Sequence, residues 1–267
     1  MNVVERALEW MERDPDPDTR AELRALLDAN DQRALTARFA GRLEFGTAGL
    51  RGLLGAGPAR MNRVTVARAT AGLCAWLKTR VPDAEQRGIC VGRDARVKSD
   101  EFEQEVVRVA TAAGFRVLRF AKVVPTPVVA FSVLERRAAA GVVITASHNP
   151  PGYNGYKVYW ENGAQIIPPN DEGIAEWIER AEAADIPRLE LEAARASNLL
   201  EEIDVIRAEY VRRIASELQS RDRAPIRIAY TALHGVAEET MREAFSEAGF
   251  DDVISVQAQA VPDGRFP

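Results

Sequence analysis

The chain reads as an α/β protein: a mixed, mostly parallel sheet with helices on both faces, an N-terminal helical arm, and an incomplete second α/β domain. Three observations predict this. Short apolar runs at 89–91, 115–120 and 138–144 alternate with longer stretches of helical period, the pattern of parallel strands joined by crossover helices. The alternation restarts at 226–230, 238–248 and 253–256, beyond an irregular polar stretch at 186–196 that reads as a linker. The first 40 residues hold helical periodicity and no strand. The expected divisions are 1–40, 41–195 and 196–267, and 267 residues suffice for one large or two modest cores.

Taken in order, Val4, Ala7, Leu8 and Met11 share one helical face, which the Asp-Pro repeat at 14–18 stops. Thr19 and Glu22 form a capping box before Leu23, Leu26 and Leu27. A helix follows over 64–78. The strand at 89–91 ends in Gly92-Arg93-Asp94-Ala95-Arg96. Ser99 or Asp100 then caps a helix whose Phe102, Val106, Val109 and Ala113 share a face, and Gly114 ends it. Thr126-Pro127 opens another helix. The strand at 138–144 leads into a loop, a strand at 156–160 and a hairpin turn at Glu161-Asn162-Gly163. A helix over 172–184 points Ile174, Trp177, Ile178 and Ala181 inward. Leu199, Ile203, Ile206, Tyr210, Ile214 and Leu218 mark one long amphipathic helix.

Hydrophobic residues make up 46% and charged residues 28% of the chain, an ordinary globular balance. Net charge is −5 without a basic block, which argues against nucleic acid as a partner. No apolar run is long enough for a membrane span, and the first residues lack a signal-peptide pattern. Cys74 and Cys90 show neither disulfide nor metal spacing. A cytoplasmic location fits all of this.

The chemistry concentrates in Thr145-Ala146-Ser147-His148-Asn149-Pro150 and Tyr153-Asn154-Gly155-Tyr156-Lys157. A hydroxyl, an imidazole, an amide and an amine share one loop between strands, and two prolines and two glycines restrict its path. His148 is a poor base for Ser147, because neighbouring side chains in extended chain point apart. No Gly-x-Ser-x-Gly elbow is present, so a hydrolase is disfavoured. Lys157 is the better proton carrier, since a lysine among other cations can lose its proton. Both the Ser147 loop and the Arg93-Asp94-Arg96 loop leave the carboxyl ends of strands, where α/β sheets place their sites.

The two strings resemble the active-serine loop of the α-D-phosphohexomutase superfamily, in its phosphoglucomutase/phosphomannomutase branch. Phe45-Gly46-Thr47-Ala48-Gly49-Leu50-Arg51-Gly52 is similar to that family's early arginine loop. The resemblance implies an intramolecular phosphotransferase that interconverts hexose 1-phosphate and 6-phosphate through a phosphoserine and a bisphosphate intermediate. Residues 41–195 would be the family's first domain and 196–267 part of its second. Ser147 would carry the phosphoryl group, with Lys157 as acid and base and His148 beside it. Arg51, Asn149 and Thr47 would bind phosphate or substrate, supported by Arg93, Asp94, Arg96 and His234. Magnesium would reach Ser147 only through its phosphate, and a glucose 1,6-bisphosphate-type activator would prime the serine. Asp14, Asp16 and Asp18 imitate the family's metal loop, but Arg20 falls one place late and no strand precedes them. They read as a proline turn opening a helix. The metal, sugar and C-terminal phosphate loops are not recognised, so the expectation is an N-terminal fragment that needs the remaining domains for turnover. The alternative is a non-catalytic remnant that binds a phosphosugar or a partner.

Overall fold

The computed structural model describes residues 2–181, 185–218 and 226–267. The arm is three helices, α1 (Val3–Arg13), α2 (Pro17–Asp28) and α3 (Gln32–Phe39), the last not anticipated. Asn2 and Glu5 close a capping box at the start of α1. The face of α1 is rotated from the expected one: Leu8 is exposed and Trp10 is buried edge-on against Phe39. The reason is the third helix, whose Leu35 and Phe39 offer Trp10 a larger apolar partner than solvent-side Leu8 could use. The start of α2 also differs from expectation. Asp16 is its N-cap and accepts from the Asp18 amide at 2.9 Å, with Pro17 in the first turn. Thr19 is buried and donates to Asp14 Oδ2 at 2.7 Å. Lys98 pairs with Asp18 at 2.6 Å and Asp16 at 3.6 Å, joining the arm to the sheet domain.

Six strands form the main sheet: β1 (Leu50–Leu53), β2 (Ile89–Arg93), β3 (Val117–Arg119), β4 (Ala140–Ile144), β5 (Tyr153–Trp160) and β6 (Leu200–Glu202). Their order is β1-β5-β4-β2-β3-β6. β4, β2, β3 and β6 run parallel, and β5 is antiparallel to both β4 and β1. Nearly every residue of β2, β3 and β4 is buried, as strands covered on both faces require. On one face pack α4 (Arg63–Arg80), α5 (Ala84–Arg87), α6 (Ser99–Ala112), α8 (Asn170–Arg180) and α9 (Leu191–Ala196). Phe102, Leu73 and Tyr156 lie in that core, each contributing about 1.5–3 kcal/mol by burial. α7 (Thr126–Glu135) and α10 (Ile206–Ser216) cover the other face. Among the described residues no helix is long and apolar enough to cross a membrane.

Three local expectations change. α6 has Lys98 at its N-cap with φ 67 and no side-chain cap; Ser99 lies inside the first turn and donates to Asp94 Oδ1 at 2.8 Å. The helix expected over 172–184 begins at Asn170, and its last three residues lie outside the described residues. The single helix expected from Leu199 to Leu218 is strand β6 followed by α10. Leu200 packs on the α4–α6 side while Ile203 and Ile206 pack on the other. The free edge of β3 recruits residues 200–202 as a parallel strand, so the first sheet extends past the expected boundary at 195. Beyond α10, β7 (Ile228–Tyr230) and β8 (Val253–Ser255) pair in parallel around α11 (Glu238–Glu247).

Candidate active site

Residues 145–152 join β4 to β5 as an antiparallel connection, and β5 starts three residues earlier than expected. The loop is braced from within. The Thr145 amide donates to Gly155 O at 3.1 Å, and Thr145 Oγ1 accepts from the Ser147 amide at 3.0 Å. The amides of Asn149 and Tyr153 donate to Ala146 O and Pro150 O. Ser147 is exposed and held at φ 57, a left-handed conformation that costs a non-glycine residue about 1–2 kcal/mol. Strain of that kind persists only where surrounding structure over-determines it.

Arg96 supplies much of that structure. It is buried beneath the loop and donates to four carbonyls: Ser147 at 2.8 Å, Asn149 at 2.7 Å, Pro150 at 3.0 Å and Tyr153 at 3.2 Å. Asp94 Oδ1 accepts from the Arg96 amide at 2.9 Å, and its Oδ2 lies 3.4 Å from Arg96 Nε. The Asp94 amide in turn donates to Ile144 O at 3.1 Å, so the two strand-end loops are stitched together.

Lys157 stands opposite Val143 on β5, and Arg51 stands opposite Gly155 on β1. Alternation along β5 puts Gly155 and Lys157 on one face, so Arg51 and Lys157 share it. Gly155 is what lets Arg51 lie there: a Cβ would meet Leu50 O and Thr145 O at 2.7 Å and Arg51 Cγ at 3.1 Å. Lys157 is half-buried, and its pKa is held below the ordinary lysine value by burial and then by the Arg51 charge, with Asp94 opposing. An amine in that setting gives up its proton more readily than a surface lysine. Arg51 is exposed. Thr47 is also exposed, at the tip of a turn closed by the Gly49 amide donating to Gly46 O at 2.7 Å.

His148 is nearer Ser147 than the extended-chain argument allowed. Its Nδ1 lies 3.4 Å from Ser147 Oγ, because the left-handed turn at Ser147 swings consecutive side chains toward the same side. Asn149 is partly buried, with its carbonyl on Arg96. Arg93 turns to Asp100 at 3.0 Å and to Ala121 O at 3.3 Å rather than to the serine loop. His234 also has φ above zero, at 60, and its Nδ1 lies 3.2 Å from Val261 O. The roles of Gly155 and of the four carbonyls on Arg96 were not read from sequence. Gly155 sits inside the quoted motif and Arg96 follows a strand-end aspartate, but which atoms each would meet depends on distant chain.

The side chains around Ser147 do not by themselves fit a magnesium ion. Its charged neighbours on β1 and β5 are cations, the carboxylate of Asp94 is committed to Arg96 and Ser99, and no group of three or more acidic, histidine or cysteine side chains among the described residues could hold a metal.

Comparison with known proteins agrees with the geometry. Residues 42–185 match the model of phosphoglucomutase/phosphomannomutase alpha/beta/alpha domain I, and residues 208–267 match that of domain II. The chain is 38% identical to the "Probable phosphoribomutase" of Schizosaccharomyces pombe, over 97% of this chain and 45% of that protein. It is 34% identical to the glucose 1,6-bisphosphate synthase of Mus musculus, over 97% of this chain and 43% of the relative. The chain therefore spans less than half the length of these relatives. A phosphoglucomutase/phosphomannomutase family protein of Burkholderia thailandensis superposes with a TM-score of 0.65 at 26% identity, covering 82% of this chain and 44% of that one. With both domain models matched in order and the serine loop at the carboxyl end of the sheet, the chain belongs to the phosphoglucomutase/phosphomannomutase branch of the phosphohexomutase superfamily.

Proposed function

We propose that this chain supplies the phosphoserine-bearing part of a phosphosugar mutase. Phosphorylated Ser147 gives its phosphoryl group to a free hydroxyl of the sugar monophosphate: the new sugar O–P bond forms as the Oγ–P bond breaks, and the hydroxyl proton passes through the amine of Lys157 to Ser147 Oγ. The resulting bisphosphate turns over in the site, and Ser147 Oγ attacks its other phosphorus. The Oγ–P bond re-forms as the bond from that phosphorus to the sugar oxygen breaks, and the serine proton passes through Lys157 to the departing sugar oxygen. The isomerised monophosphate leaves and Ser147 is again phosphorylated. Arg51 bears the phosphate charge with a fixed fork of donors. Thr47 and Asn149 add donors at the rim, and His148 holds the serine hydroxyl. The observation that carries this reading is an exposed, strained serine on a clamped loop, at the same sheet end as a half-buried lysine of lowered pKa and an arginine.

Hexose 1- and 6-phosphates are the proposed substrates, with a bisphosphate of the same sugar as primer. The relatives' names divide between ribose phosphate and glucose bisphosphate chemistry, so the pentose 1- and 5-phosphates are the competing pair. The test is direct. The protein is incubated with glucose 1,6-bisphosphate or ribose 1,5-bisphosphate carrying labelled phosphate, and the label is mapped by peptide mass spectrometry. Label on Ser147, with conversion of one sugar over the other in the full-length protein, is the expected result. A full-length Ser147→Ala protein with wild-type turnover would refute the assignment.

A further inference from the structure

The two terminal nitrogens of the Arg96 guanidinium are taken up by the four carbonyls and Asp94 stands 3.4 Å from Nε, which leaves the two flat faces of the group. One of them is covered from the far end of the chain: Arg96 Cζ lies 4.9 Å from the centroid of the Phe266 ring. The same segment touches the backbone beneath Arg96. Gly264 is buried, and a Cβ there would stand 2.4 Å from Ala95 O and 2.9 Å from both Arg96 Cα and Val97 N. The segment is in turn tied to the loop after β7. The Asp263 amide donates to His234 O at 2.9 Å, and the His234 amide donates to Gln259 O at 2.9 Å. The Phe266 amide donates back to Asp263 O at 3.1 Å. An unbroken series of contacts thus runs from His234 through 263–266 to Arg96, and from Arg96 to the carbonyl of Ser147.

We infer that Arg96 is the positioning residue of the serine loop and that Phe266, seated on it by the second α/β unit, sets how firmly that loop is held. Arg96 touches no reacting atom; it acts by fixing the backbone from Ser147 onward, through the carbonyls of Ser147, Asn149, Pro150 and Tyr153. The arrangement makes the geometry at Ser147 answer to the docking of residues 263–266, a means for the second unit to report its position to the nucleophile. The functional meaning rests on the phosphoserine reading, while the coupling itself does not. Contiguity alone does not prove coupling, so the test is a double-mutant cycle.

Amide hydrogen exchange is measured on the 267-residue chain as wild type, Phe266→Leu, Phe266→Tyr, Arg96→Lys and Arg96→Lys/Phe266→Leu. Phe266→Leu is expected to speed exchange at Ser147, Asn149 and Tyr153 about tenfold, the change a cation–π contact of ordinary strength supports. Phe266→Tyr keeps the ring and restores wild-type exchange. In the Arg96→Lys background, Phe266→Leu adds nothing further. The Thr145 amide and the amides of α4 stay unchanged and report an intact fold. Loop exchange unaltered by Phe266→Leu, or additive effects in the double variant, would overturn the inference. Phe266 is partly exposed, so the Leu and Tyr variants test the coupling even if Arg96→Lys does not fold. Failure of bisphosphate to label Ser147 sinks the mutase reading alone and leaves this coupling standing.

Discussion

Replacing Gly155 by alanine puts a methyl group where two neighbouring strands leave no room. The added Cβ would lie 2.7 Å from Leu50 O on one side and 2.7 Å from Thr145 O on the other, where ordinary contact begins at 3.4 Å. Each contact is short by about 0.7 Å, and both partners are backbone, so no side chain can rotate away. Moving Gly155 away from either neighbour worsens the contact with the other. Relief therefore requires β1 to part from β5 or the base of the serine loop to open. Overpacking of this kind costs about 1–3 kcal/mol, and the rigid, two-sided case belongs in the upper half of that range. The assay is urea unfolding followed by circular dichroism: the midpoint should fall while the slope with denaturant is unchanged. Arg51 Cγ, 3.1 Å from the same point, should be displaced as well, weakening inorganic phosphate binding more than the stability loss explains. A Gly155→Ala protein within about 0.5 kcal/mol of wild type would refute the close-approach argument.

Ser147→Gly should match or exceed wild-type stability, while Ser147→Ala keeps the left-handed strain at φ 57; both lose bisphosphate labelling. Thermal unfolding in which glycine proves less stable than alanine would contradict the strain. Lys157 has a folded pKa below its ordinary 10.5, chiefly through burial and then Arg51. The unfolded chain thus binds more protons between the two values, so stability rises with pH across that window and the cost is full below the folded value. Arg51→Met should raise the Lys157 pKa toward 10.5 and narrow the window, read by NMR titration of the methylated amine; an unchanged or lower value would count against their proximity. Glu103, fully buried, accepts from Arg119 Nε at 2.6 Å and from a second guanidinium nitrogen at 2.8 Å. Glu103→Ala should cost about 3–5 kcal/mol by stranding the Arg119 charge, whereas the Glu103→Met/Arg119→Met pair should be near neutral in chemical denaturation. Equal losses in both variants would deny the stranded-charge explanation.

Much of the architecture was legible because its signals are local. The apolar runs at β2 and β4 are near-continuous, as buried parallel strands must be, and the helical periods of α6 and α10 survive in the fold. Two of the misread elements turned on a partner distant in sequence. Residues 200–202 satisfy a helical period as well as a strand, and only the exposed edge of β3 decides between them. Trp10 displaces Leu8 because Phe39 arrives from a helix that periodicity did not reveal. His148 approaches Ser147 because one φ angle is left-handed, a property that no residue type at that position announces.

By itself, the sequence determined the α/β class and offered the loop at 145–157, with Ser147, Lys157, Asp94 and Arg96, as candidates, because side-chain chemistry and short-range periodicity are written residue by residue; Arg51 entered through the family resemblance. The tertiary structure decided which of these meet. It alone put Arg51 across the Cα of Gly155, lowered the pKa of Lys157, turned Arg96 onto four carbonyls of the serine loop and laid Phe266 over its face. Those outcomes depend on burial and on strand neighbours fixed by sheet order, and sheet order is a property of the packed chain rather than of any stretch within it.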